Sequence, residues 1–237
     1  MRRPRVPTRR SHATYARILT RLRWLGNSKN VVGMMRFGIN ASGTLGISVV
    51  DLRKLARDLG TDHALAQRLW ASGIHEARIL ASFIDDPRLV TAAQMDRWVA
   101  AFDSWDVCDQ VCALFERTRW ARTKIAAWAG DDREFVKRAA FAMIAGLAVH
   151  DEALHDRDFE AFLRLIRRAA TDDRNFVRKG VNWALRSIGK RNRMLNHRAV
   201  AVALALSRRD SRPARWVAAD ALRELTSKKV ATRFRAG

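Results

Sequence analysis

The chain has 237 residues, 48% of them apolar, which is enough for one large or two small domains with a substantial core. Two cysteines exclude a disulfide-built scaffold, and the apolar runs are too short for a membrane-spanning helix. The formal net charge of +21 favours a polyanionic partner, above all a nucleic acid, although a membrane surface or ribosomal RNA would also attract it.

The N-terminal part of the chain is strongly basic, since the first acidic residue is Asp51. We predict a disordered basic arm over residues 1–14, followed by one helical domain over residues 15–237. The segment VVGMMRFGINASGTLG, residues 31–46, is rich in glycine and able to order on binding.

Amphipathic helices follow from Ser48 onward, because apolar residues recur three and four positions apart behind a polar N-cap candidate. Ser48 precedes VVDLRKLARDLG, Thr61 precedes DHALAQRLWASG, and Thr91 precedes AAQMDRWVAAFD. No alternating strand pattern is present, so the sequence predicts an all-α fold.

The next stretch, FDSWDVCDQV, places acids and a tryptophan inside an apolar run. Trp105 and Asp109 are four residues apart and share one helical face, whereas Asp106 points about 100° away. We therefore expect Asp106 to be a helix-start charge or the partner of an arginine. Cys108 and Cys112 are expected to be small buried side chains in a reducing cytosol. The stretch is either an ordinary amphipathic helix or part of a site for a cationic ligand.

The later helices repeat. DREFVKRAAFAMIAGLA begins at Asp132, and DRNFVRKGVNWALRSIG begins 41 residues later at Asp173. RPARWVAADALRELTSK, from Arg212, matches the second copy at an offset of 37 residues. Pairs of amphipathic helices in units of about 40 residues are typical of HEAT or armadillo repeats, which stack into a curved solenoid with a concave face. A compact helical bundle is the alternative.

Basic residues occupy matching positions of these repeats, and we expect them to form a cationic face that follows a DNA backbone. They are Lys137, Arg138, Arg178, Lys179 and Arg215.

Four blocks carry a resemblance to a known family: WASGIHEARILAS, SWDVCD, FVKRAAF and VRKGVNWALRSIGKRN. In order and spacing, from about Met34 to Trp216, they resemble the AlkD-like bacterial DNA alkylation repair glycosylases, which are built of HEAT-like repeats. The resemblance implies that Trp105, Asp109 and Trp183 line a lesion site and that Arg138 binds a phosphate.

The activity implied by this resemblance is excision of positively charged N3- and N7-alkylpurines from duplex DNA, by a cytoplasmic monomer without metal or organic cofactor. Two other functions remain open. One is a non-catalytic HEAT-repeat protein that binds bent, branched or damaged DNA, and the other is a solenoid that binds an acidic protein.

Overall fold

The computed structural model describes residues 9–234, with side chains from Tyr15 to Thr232 and that of Phe234. These residues form fourteen α-helices and no strand, which confirms the all-α prediction for the described part of the chain. The helices are α1 (Arg9–Leu25), α2 (Ser28–Met35), α3 (Val49–Leu59), α4 (His63–Ala71), α5 (His75–Ile84), α6 (Ala92–Ala100), α7 (Trp105–Phe115), α8 (Ala121–Trp128), α9 (Glu134–His150), α10 (Asp156–Ala169), α11 (Asn175–Gly189), α12 (Arg193–Ser207), α13 (Arg212–Leu225) and α14 (Lys228–Arg233). Within residues 9–234, no helix is both long enough and apolar enough to span a bilayer.

The structure confirms one of the predicted helix caps and corrects another. Ser48 caps α3, because its hydroxyl accepts a hydrogen bond from the backbone N–H of Asp51 at 3.1 Å. The prediction that Thr61 caps α4 is wrong. Asp62 is the N-cap, and its carboxylate accepts from the backbone N–H of Leu65 at 2.9 Å.

The chain divides into two compact units: Met1–Thr91 with Asp103–Leu114, and Ala92–Phe102 with Phe115–Gly237. The single domain expected over residues 15–237 stays a prediction. Of the predicted arm, residues 1–8 lie outside the described residues, whereas the backbone of residues 9–14 belongs to α1.

The second unit contains the sequence repeats, and their shared residues contact one another. Helix α9 packs against α11, and α11 packs against α13. The Phe135 and Phe176 rings, which occupy the same repeat position, lie 5.5 Å apart between centroids. The Glu134 carboxylate accepts from the backbone N–H of Phe176 at 3.1 Å. Residues that recur in the sequence repeats therefore form contacts between successive repeats.

An Asp-x-Arg turn precedes each of the first two repeat helices. The Arg133 side chain donates to both carboxylate oxygens of Asp131, at 2.9 and 2.7 Å, and lowers the pKa of that carboxyl to about 2. At Asp172, burial raises the pKa, but hydrogen bonds from Arg174 and Lys137 outweigh burial and bring it to about 2. Both carboxylates therefore stay charged near neutral pH and fix the entry into α9 and α11.

The first unit is organised around α5, most of whose side chains are buried. Helices α3 and α4 both pack against α5, and α1 contacts α4 and α5. Among the α1 side chains that the structure describes, from Tyr15 on, Ile18 and Leu22 are buried, at 4% and 0% exposure. Their spacing of four residues puts them on the same helical face, as a helix that covers a core requires.

The end of the glycine-rich segment, just before α3, is bound to a buried carboxylate. Glu76 is fully buried, and it accepts from the backbone N–H groups of Leu45, Gly46 and Ile47 at 2.8, 2.6 and 3.2 Å. Three charge-assisted hydrogen bonds compensate the desolvation of this anion. Gly46 has φ of 82°, and a Cβ on it would lie 2.2 Å from the carbonyl oxygen of Asn27. Only glycine fits there.

Gly46→Ala is expected to lower the free energy of unfolding by about 2–4 kcal/mol, because backbone strain adds to the clash with the Asn27 carbonyl. Gly73→Ala is the matched control: its φ is 72°, but nothing lies within 4 Å of the added Cβ. It should cost only about 1 kcal/mol. Urea unfolding of the two variants measures the difference, and equal losses would contradict a close contact at Gly46.

Candidate functional site

Helix α7 presents Trp105 and Asp109 together. Trp105 is the first residue of the helix and Asp109 lies one turn later, and both side chains are partly exposed. The Trp105 indole N–H donates to the carbonyl oxygen of Phe37 at 3.0 Å, which fixes the ring against the glycine-rich segment. An aromatic face and a carboxylate that share one helical face suit a cationic ligand.

Asp106 has a different role, because its carboxylate is held inside the first unit. It is 8% exposed, and its Oδ2 lies 2.8 Å from Nε2 of His75, itself 4% exposed. Its Oδ1 accepts from the backbone N–H of Val107 at 2.9 Å. As expected, Asp106 is a helix-start charge, but its partner is a histidine rather than an arginine.

The charge state of His75 follows from this pairing. Burial lowers the pKa of His75, but the hydrogen bond and charge of Asp106, with smaller contributions from Glu76 and Asp103, raise it above its usual 6.5. A protonated imidazole beside a carboxylate is the better-compensated state in this buried position. Asp106 is therefore bonded within the buried part of the first unit, whereas the Asp109 side chain is partly exposed.

Two further side chains near the start and middle of α7 are held by neighbours in the first unit. Asp103 accepts from the Asn40 amide at 3.2 Å and lies 3.7 Å from the Arg78 guanidinium. Gln110 accepts from Arg53 at 3.2 Å. Cys108 and Cys112 are both buried, as expected, and no disulfide joins them.

Trp183 and Arg138 lie in the second unit, so the convergence of all four site residues stays a prediction. Trp183 is partly exposed on α11 and lines a cavity of about 490 Å³. The cavity also contains the polar side chains of Ser187, Lys190 and Glu152. This position gives the indole access to a ligand from solvent.

Two of the predicted phosphate-binding residues are used inside the repeat packing. Arg138 is only 6% exposed, and its Nη1 donates to the carbonyl oxygen of Phe176 at 2.7 Å. The Lys137 ammonium pairs with Asp172 at 3.0 Å, and both side chains are largely buried. The predicted DNA-binding role of Arg138 and Lys137 stays a prediction. Sequence recurrence at these positions reflects contacts between repeats.

The remaining three basic residues are more accessible. Lys179 is exposed on α11, and Arg215 is exposed on α13, where it pairs with Asp210 at 3.2 Å. The Arg178 guanidinium carbon lies 4.6 Å from the ring centroid of Trp216, which is 38% exposed. Their DNA-binding role stays a prediction.

Sequence reasoning did not identify His75, Glu76 or Phe37. The two α5 residues look like ordinary surface polar residues of a helix start, and only the fold brings their partners to them. Phe37 had a weak signal, since it is an aromatic residue beside Arg36 in a segment rich in glycine and therefore poorly suited to a core.

The sequence pattern of the DNA alkylation repair enzymes matches residues 18–230. The chain belongs to this family. No curated protein sequence matches the chain significantly.

One solved structure comes from a protein family related to the HEAT-like repeat DNA glycosylases, with affinity for branched DNA structures. It is 17% identical to this chain, covers 88% of it and 94% of its own length, and has a TM-score of 0.74. This likeness confirms the predicted HEAT-like repeat fold. A designed armadillo repeat protein in complex with the peptide (KR)4 is 15% identical, covers 78% of this chain and 79% of its own, and has a TM-score of 0.36, which is too low to carry an argument.

Asp106→Asn is expected to lower the free energy of unfolding by about 2 kcal/mol at low pH, because protonated His75 loses its carboxylate. Since the pKa of His75 is raised on folding, the stabilisation is complete below the unfolded value of about 6.5 and falls as pH rises through the folded value. Urea unfolding between pH 5 and 8 should therefore show a gap between wild type and variant that narrows with rising pH. Asp58→Asn, at an exposed aspartate, is the control, and a gap that widens with pH would refute the pairing.

Proposed function

We propose that this protein is a DNA glycosylase that releases positively charged N3- and N7-alkylpurines from duplex DNA. One observation carries the proposal: α7 places the partly exposed side chains of Trp105 and Asp109 four residues apart on one helical face. Membership in the DNA alkylation repair enzyme family supports this reading of the helix. The net charge of +21 supports a DNA partner.

The reaction needs few catalytic groups from the protein. An alkylated purine is already a cation, so it departs with the electrons of the C1′–N bond as a neutral base and needs no general acid. Positive charge then develops on the sugar as an oxocarbenium ion, and the Asp109 carboxylate stabilises it. A water molecule adds its oxygen to C1′ and transfers a proton to Asp109, which thereby also acts as the general base. The reaction as written uses no metal and no organic cofactor.

The faces of the two tryptophan rings help to stabilise the developing positive charge. In this proposal, the Trp105 and Trp183 rings pack on the deoxyribose, and their quadrupoles favour the charge that develops there. The hydrogen bond from Trp105 to Phe37 supports such a role, because it holds the ring in one orientation before DNA arrives.

We assign binding of the DNA backbone to the three basic residues that are more accessible to solvent. Lys179 and Arg215 would contact phosphates directly, and Arg178 would do so from its place over Trp216. Lys137 and Arg138 would support DNA binding indirectly by holding α11 in place. Their contacts to Asp172 and Phe176 connect α9 to the start of α11. An enzyme of this kind acts as a monomer on chromosomal DNA in the cytoplasm.

A second candidate function is binding of branched DNA without base release. The relative with a TM-score of 0.74 belongs to a family with affinity for branched DNA structures, and this favours the candidate. The two functions share a cationic surface but differ in their need for Asp109.

Asp109→Asn is expected to slow release of 7-methylguanine from methylated duplex DNA by about 100-fold or more, because the amide cannot stabilise a developing cation or accept a proton. The measurement is single-turnover base release by liquid chromatography, with DNA affinity determined in parallel. Affinity for the duplex should change little.

Asp58→Asn is the matched control, since Asp58 is an exposed aspartate of the same unit, paired with Arg21 at 3.8 Å. It should retain wild-type release. If wild type releases no base but binds a four-way junction more tightly than linear duplex, the second candidate is correct and the glycosylase proposal is wrong.

A further inference from the structure

Helix α10 carries three acids, and each of them contacts a side chain from α8 or from α12 and its N-cap. In order along α10, Asp156 accepts from Asn192 at 2.8 Å, Asp158 pairs with Arg122 at 3.4 Å, and Glu160 pairs with Arg198 at 3.2 Å. These contacts hold α10 beside its neighbours in the second unit. The acids of the helix therefore serve the packing of the unit.

Three arginines of α10 form an exposed row on its outer side. The spacing of Arg157, Arg164 and Arg168 puts them within about 40° of one another around the helix, over a length of about 16 Å. The buried Phe159 and Ile166 lie on the opposite side of α10, so this outer row faces away from the core of the second unit. Among residues 15–232, no ion pair involves the outer row. Its positive charge is therefore available to an outside partner.

The composition of the outer row favours a nucleic-acid duplex. Its cations are all guanidinium groups, whose planar fork of N–H donors fits phosphate oxygens. None of the exposed large apolar side chains of the described residues lies on α10. Protein interfaces, membrane-bound helices and sites for single-stranded nucleic acid all use such side chains, aromatic rings above all. The backbone of a duplex needs only spaced positive charges.

The outer row lies on a different surface of the second unit from the basic residues assigned to base release. Helices α9, α11 and α13 pack in succession, whereas α10 and α12 pack against α11 from outside that series. The exposed Lys179 of α11 therefore lies on a side that α10 and α12 do not cover. The outer row lies on the side of α10 that faces away from the core. One set of cations remains accessible when the other is occupied.

We propose that the outer row of α10 binds a second DNA duplex, so that one protein molecule holds two duplexes at once. The inference rests on the proposed function for the first duplex, which contacts α11 and α13, but it does not require base release. A protein that holds two duplexes can move from one DNA segment to another without first dissociating. Such transfer suits the search for rare lesions.

Capture of a second duplex tests the outer row. The protein is first bound to an unmodified duplex on beads, and a fluorescent unmodified duplex is then added at low salt, where phosphate contacts are strongest. Wild type should retain the fluorescent duplex. Arg164→Gln/Arg168→Gln should bind it about tenfold more weakly, with a salt dependence reduced by about two phosphate contacts. Affinity of this variant for the duplex on the beads should change by less than about twofold.

Arg97→Gln/Arg193→Gln is the matched control, because it removes the same charge from exposed positions of the second unit outside α10. It should capture the second duplex as wild type does, and both double variants should keep the wild-type melting temperature, since glutamine suits an exposed helical position.

The proposal is overturned if wild type captures no second duplex, if Arg164→Gln/Arg168→Gln captures it as well as wild type, or if the control loses as much. Capture of phosphatidylserine vesicles in place of the duplex would identify a membrane as the partner and would also overturn it. Failure of the glycosylase proposal shows separately, as absence of base release by a wild type that still captures the second duplex.

Discussion

Two adjacent residues at the start of α5 hold the first unit together. Glu76 binds the backbone of residues 45–47, and His75 binds Asp106 at the start of α7. Both side chains are buried, so each depends on its partner to offset the loss of hydration. Through them, one helix fixes both the glycine-rich segment and the helix that carries Trp105 and Asp109. The hydrogen bond from Trp105 to Phe37 closes this arrangement.

This arrangement explains why α7 contains acids in an apolar run of a strongly basic protein. Asp106 compensates a buried imidazole, and Asp103 is bound by Asn40 and lies near Arg78. Asp109 sits beside an aromatic ring at a partly exposed face, where a carboxylate is able to meet a ligand that carries or develops positive charge.

The sequence was sufficient to predict the helices and the repeats, because both depend on local periodicity. The spacing of DREFV and DRNFV identified the unit whose phenylalanines and Asp-x-Arg turns contact or recur in the structure. At Lys137 and Arg138 the sequence could not reveal that the recurring cations contact Asp172 and Phe176 of the next repeat, and their predicted contact with DNA stays a prediction. The roles of His75 and Glu76 could not be predicted from the sequence, because their partners lie about thirty residues away and no periodic pattern marks them.

The central claim is that Asp109 stabilises a sugar that becomes positively charged. Affinity for two duplexes tests it directly, one with a cationic pyrrolidine analogue of the abasic sugar and one with neutral tetrahydrofuran. Wild type should prefer the cationic analogue about tenfold, and Asp109→Asn should lose that preference. Equal affinities in wild type, or a preference that survives in Asp109→Asn, would contradict the account.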